Sequence, residues 1–123
     1  MIWLACMCLL GCCNMQEMIE KLFDSVEKLR KAIDKRYEIS EQRANAEYCY
    51  RELLGREMAA AKAEGMAATA LYNYCRGLEE VARLRAERDI LGAQEAYMDD
   101  LIFYYRQVIK VYENQVNAER RGL

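Results

Sequence analysis

Proline is absent from all 123 residues, and so is histidine. Without proline, no ring locks φ or removes a backbone donor inside a helix, so long unbroken helices are permitted. Without histidine, the chain lacks the usual general base near neutral pH and the commonest transition-metal ligand. An excess of one charge is missing too: 18 basic and 20 acidic residues give a formal net charge of −2. That balance provides no basic footprint, and a nucleic-acid partner is not expected. Glycine occurs only six times, so turn signals are few. Against these absences stand 54% hydrophobic residues and nine tyrosines. The length suits one domain with a modest core.

The apolar residues are spaced for helix packing, most clearly between Leu78 and Arg121. Apolar or aromatic residues recur every seven positions at Leu84, Leu91, Met98, Tyr105 and Tyr112. A second row sits one residue earlier, at Ile90, Tyr97, Tyr104 and Val111, while Leu101 with Val108 and Ile102 with Ile109 widen the stripe. The spacing predicts coiled-coil packing on a face broad enough for two neighbours. Leu84, Leu91, Met98, Leu101, Tyr104, Tyr105, Val108 and Tyr112 are the candidate helix-packing interface, and Asp100 is expected on the packed side beside Leu101. At 1.5 Å per residue such a helix is on the order of 65 Å long.

Upstream, Met15 to about Ile33 reads as an amphipathic helix. Met15, Leu22 and Leu29 form one row and Ile19, Val26 and Ile33 the other. Glu17 with Lys21 and Glu27 with Lys31 are i,i+4 pairs in the favourable order. The register blurs at Arg36 and Ser40 and resumes at Tyr37, Ala44 and Tyr48, which predicts a four-residue insertion in the heptad count. Residues 57–70 are alanine-rich, so neighbouring helices can approach closely. The turn is expected at Gly77 or at Gly65, with Gly77 the stronger stop because Arg76 precedes it and Glu79-Glu80 follow. Gly55 and Gly92 are expected inside helices. The fold class is therefore all-α: a long antiparallel helical hairpin or coiled-coil-like bundle of two or three helices, over residues 14–123.

Residues 1–13 form a separate apolar segment that is signal-like or anchor-like. They are too few to span a bilayer as a helix, which needs roughly 20 apolar residues. Their length suits the core of a secretory signal, and membrane association through them is one expectation. Leu9-Leu10-Gly11-Cys12 resembles a bacterial lipoprotein signal box, which makes Cys12 a possible lipidation site. A truncated upstream sequence, a buried core helix and an interfacial anchor are the competing readings.

No catalytic constellation accompanies the helices, and no enzyme activity or cofactor is expected. Cys6, Cys8, Cys12 and Cys13 have the density to hold Cu(I) or Zn²⁺, although small apolar residues in a signal or anchor explain them with fewer assumptions. Cys49 and Cys75 would face each other across a hairpin turning near Gly65, whereas a turn at Gly77 forbids a disulfide between them. Glu79, Glu80, Glu87, Asp99 and Asp100 lack the Glu-x-x-His partners of a di-iron bundle, and all but Asp100 read as a solvated face.

One resemblance sharpens this picture. Residues 77–114 carry a glycine turn followed by Glu80-Val81, then Ala86, Arg88, Asp89, Ile90, Leu91 and Ala93. Tyr97-Met98-Asp99, Leu101-Ile102 and Tyr104 complete the pattern. This segment of about 40 residues resembles the last long helix of the TolC-like outer-membrane efflux proteins. The resemblance implies a periplasmic α-helical duct, assembled as a trimer and working with an adaptor and an inner-membrane pump. It places the chain in the cell envelope, at the periplasm or outer membrane, as the helical-hairpin portion or a fragment of such a channel. It transfers no catalytic residues. The alternative expectation is a small lipid-anchored coiled-coil scaffold or adaptor with no transport role.

Overall fold

A computed structural model of the chain describes residues 14–122. Of the described residues, 92% are helical and none is in a strand. Helix α1 runs from Met15 to Ala63, α2 from Ala68 to Arg76 and α3 from Glu79 to Arg120. The fold is an all-α helical hairpin with a short third helix between its arms.

The helix ends follow from local chemistry. Asn14 begins α1, its side-chain Oδ1 accepting the Glu17 backbone N–H at 2.8 Å. That bond satisfies one of the four donors a helix start leaves open. At the other end the Gly65 N–H donates to the Lys62 carbonyl at 3.0 Å and the Met66 N–H to the Ala61 carbonyl at 3.1 Å. This crossed pair is a Schellman stop, and Gly65 adopts the left-handed φ of 94° that it requires. Gly77 also interrupts the chain, but with φ at −83° in the right-handed region. Both expected turns are therefore present, and the sharper conformational demand falls on Gly65. Gly55 and Gly92 lie inside helices as expected.

The chain divides into two compact units. The first, described over residues 14–34 and 99–122, is a pair of helical segments. Its buried side chains are Met18, Ser25, Ala32 and Ile102. The Ser25 hydroxyl is satisfied locally, donating to the Lys21 carbonyl at 2.9 Å. The second unit, residues 35–98, adds α2 and gains a continuous core. Tyr50, Leu54 and Ala61 from α1 pack with Leu71 and Cys75 from α2 and Val81 from α3. Val81 and Cys75 are wholly buried.

The observed register corrects the expected one. Along α1 the buried positions are Met18, Ser25, Ala32, Ile39 and Ala46, seven apart throughout. Met15, Leu22, Leu29, Arg36 and Arg43 form the half-buried companion row. No four-residue insertion occurs near Arg36. Three of the five inner positions, Ser25, Ala32 and Ala46, are small, while Val26 and Ile33, expected inside, are 44% and 43% exposed. Small side chains let helix backbones approach, so the larger β-branched residues one position along are displaced outward. The buried positions change only after Ala46, at Tyr50, Leu54 and Ala61, where the core of the second unit lies.

On α3 the row Leu84, Leu91, Met98, Tyr105, Tyr112 faces inward, with Met98 buried and the others half-buried. Its neighbour row of Ile90, Tyr97, Tyr104 and Val111 is exposed. Asp100 is exposed as well, contrary to the expectation that it lies on the packed side. The inner partner of the Met98 row is Val81, Arg88, Glu95, Ile102, Ile109 and Val116, which contains two charges that a purely apolar pattern overlooks.

Candidate functional site

Those two charges differentiate the flanks of the second unit. Glu95 Oε2 accepts from the Ser40 hydroxyl at 2.6 Å and from Arg43 Nε at 3.3 Å. Arg88 Nη1 reaches Glu47 Oε2 at 3.0 Å, and Glu47 Oε1 takes Arg51 Nε at 2.7 Å. Hydrogen bonds from Arg51 and Arg88 hold the Glu47 carboxyl below the ordinary carboxylate range. The Ser40 hydroxyl and then Arg43 do the same for Glu95. Charge-assisted bonds of this kind are stronger than neutral ones and fix the register of α1 against α3.

The opposite flank has no such ladder. There an open groove of about 590 Å³ lies between α1 and α3. Ala46, Cys49, Leu84, Ala86, Ile90 and Leu91 supply its apolar lining, and Gln42, Asn45, Arg83 and Glu87 its polar edge. Ile90 is 58% exposed despite its size. Cys49 is exposed and unpaired, and Cys75 is buried and unpaired, so no disulfide joins them. The groove resembles a coiled-coil seam whose third helix is missing: Ala46 is buried in it, Leu84 and Leu91 are half-buried, and Ile90 stands exposed at its side.

A second concavity, about 390 Å³, lies in the same unit between Tyr50, Leu54 and Met58 of α1 and Tyr72 and Arg76 of α2. Arg51, Arg88 and Glu47 complete its polar lining. The Arg88 guanidinium carbon stands 4.7 Å from the Tyr50 ring centroid and that of Arg76 stands 5.3 Å from the Tyr72 ring. Each distance falls within cation–π range.

Of the eight residues expected at the packing interface, Leu84, Leu91 and Met98 belong to the second unit, with Leu84 and Leu91 in the groove. Leu101, Tyr105, Val108 and Tyr112 are half-buried in the first unit. Tyr104 is 57% exposed, its ring tilted against Tyr105 with centroids 5.5 Å apart. Cys12 and the other N-terminal cysteines lie outside the described residues. Among the described residues no group of three or more His, Cys, Asp or Glu side chains is placed to hold a metal ion. No described helix is long and apolar enough to cross a membrane. The arginine-lined concavity escaped the sequence reading. Glu47–Arg51 and Tyr72–Arg76 are i,i+4 pairs and were legible as such, but only folding brings them together with Arg88.

Comparison with family models, with curated proteins and with solved structures gave no match to this chain.

Proposed function

We propose that the protein is a non-enzymatic helical module that assembles with copies of itself through the groove lined by Ala46, Cys49, Leu84, Ile90 and Leu91. The observation that carries this reading is the asymmetry of the second unit. One flank is closed by the Arg88–Glu47–Arg51 and Arg43–Glu95 pairs, while the other leaves an apolar seam open. A second copy is the occupant because the groove edge is self-complementary in charge. Arg83 and Glu87 stand four residues apart on α3, so a neighbouring α3 can set Glu87 against Arg83. The same helix also offers the exposed Ile90 and Tyr97 as knobs for a neighbour's groove. The resemblance to TolC-like proteins suggests the larger setting: a trimeric duct in the cell envelope, with adaptor and pump as further partners and lipidation at Cys12. A lipid-anchored scaffold would use the same surface without a transport role.

Sedimentation velocity of the full chain and of Ile90→Lys tests the reading. The wild-type chain is expected to associate at micromolar concentration, and the variant, with unchanged helicity by circular dichroism, to associate at least tenfold more weakly. Maleimide labelling at Cys49, located by peptide mapping, is expected to slow as the wild type associates. A wild-type monomer at high concentration, or an Ile90→Lys chain that associates as well as wild type, overturns the proposal. A trimer supports the duct form specifically.

A further inference from the structure

The concavity between α1 and α2 has a different chemistry from the groove. Its charged lining is Arg51, Arg76, Arg88 and Glu47, a local excess of two positive charges in a chain whose formal net charge is −2. The carboxylates available to these arginines are already accounted for. Glu47 takes Arg51 and Arg88, and Asp89 takes the Nε and Nη2 of Arg88 at 3.0 and 2.9 Å. Among the described residues Arg76 has no ion pair, and its Nε is buried without a hydrogen-bond acceptor there. A buried donor left in that state keeps its desolvation penalty uncompensated. Its guanidinium is held in place by the Tyr72 ring four residues back on the same helix.

We infer that this concavity binds a small organic oxyanion, a phosphate or carboxylate head on a flat apolar body. The head meets the guanidinium of Arg76, whose planar fork matches either group in two parallel hydrogen bonds, with the outer nitrogens of Arg51 beside it. The body lies against Tyr50, Tyr72, Leu54 and Met58. The volume of about 390 Å³ is at the small end of the ~300–1,000 Å³ typical of ligand pockets. It suits one ring with one charged group better than a polymer. Glu47 stays compatible with an anion next to it because two arginines neutralise it. Glu47 also disfavours inorganic phosphate alone, since the apolar contacts are then lost and the repulsion is kept. This site is independent of the self-assembly groove, being lined by none of the same residues.

Isothermal titration of the full chain with phenyl phosphate, benzoate and inorganic phosphate tests the inference. One of the two aromatic anions is expected to bind at least tenfold more tightly than inorganic phosphate, and the tighter one identifies the head group. Arg76→Gln is expected to weaken that ligand at least tenfold. Arg76→Lys, which keeps the charge and loses the fork, is expected to fall between. Arg51→Gln, at an exposed position that does not threaten folding, is expected to weaken binding about threefold. Circular dichroism confirms that each variant is folded, and should Arg76→Gln unfold, Arg76→Lys and Arg51→Gln decide the matter. Absence of binding by both aromatic anions, or binding unaffected by the Arg76 and Arg51 substitutions, overturns it.

Discussion

The two units are cut from the same pair of long helices, yet only one of them acquires a core of large side chains. Residues 35–98 bury Tyr50, Leu54, Leu71, Cys75 and Val81 in one cluster, because the nine-residue α2 lies over the helix pair. The segments at 14–34 and 99–122 have no third helix. Their seam buries only Met18, Ser25, Ala32 and Ile102, and Phe23, Phe103 and Tyr104 remain outside. Two helices present only a seam to each other, and a third converts that seam into an interior. Stability in this chain is therefore expected to be unequal along its length, as happens when cooperative units differ in buried apolar contacts.

The sharpest way to break that contrast is to cut into the three-helix core. Leu71→Ala is expected to cost about 2–5 kcal/mol, read by urea denaturation, and to raise hydrogen exchange across residues 35–98 before it affects residues 99–122. Equal acceleration in both units would mean that they unfold as one. In the two-helix unit the sensitive change is enlargement, not truncation. Ser25→Leu forces a large side chain into a seam sized for a small one, and is expected to cost about 1–3 kcal/mol, with the exchange effect confined to the first unit. Gly65→Ala probes the link between α1 and α2. At φ of 94° an L side chain is strained even though nothing lies within 4 Å of the new methyl, and the expected loss is about 1–2 kcal/mol.

The smallest effect belongs to the ionic flank and depends on pH. The carboxyl of Glu47 titrates below its ordinary 4.5 when folded. Its contribution is thus complete above the unfolded value and is lost as pH falls through the lower, folded value. Glu47→Gln is expected to melt below wild type at pH 7, with the difference shrinking at pH values under about 4.5. A gap that widens in acid would show that the pairing with Arg51 and Arg88 is not its source.

Helix content and the two interruptions were legible in the sequence, since absent proline, Gly65 and Gly77 are all local signals, although Gly77 read as the stronger stop and the left-handed turn falls at Gly65. The row Leu84, Leu91, Met98, Tyr105 and Tyr112 was legible for the same reason. The register of α1 was legible only in part: Met15, Leu22 and Leu29 are half-buried as expected, but the buried row beside them was not apparent. Hydrophobic periodicity rewards large residues, so it favours Ile19, Val26 and Ile33, whereas the packed row consists mostly of small ones. Arg88 and Glu95 on the inner face of α3 were hidden by the same bias, because a charge looks like a solvated position until its partner across the helix pair is seen. The arginine pocket depends on three helices meeting, and no local pattern encodes that.

The full burial of Cys75 gives the molecule a built-in stopwatch. A small thiol reagent can reach this sulfur only when the three-helix unit opens, whereas Cys49 is exposed while the chain is unassociated. The labelling rate at Cys75 then counts openings per unit time in the unaltered chain. Any copy or anion that holds residues 35–98 shut would slow that count, whichever of the two concavities it occupies.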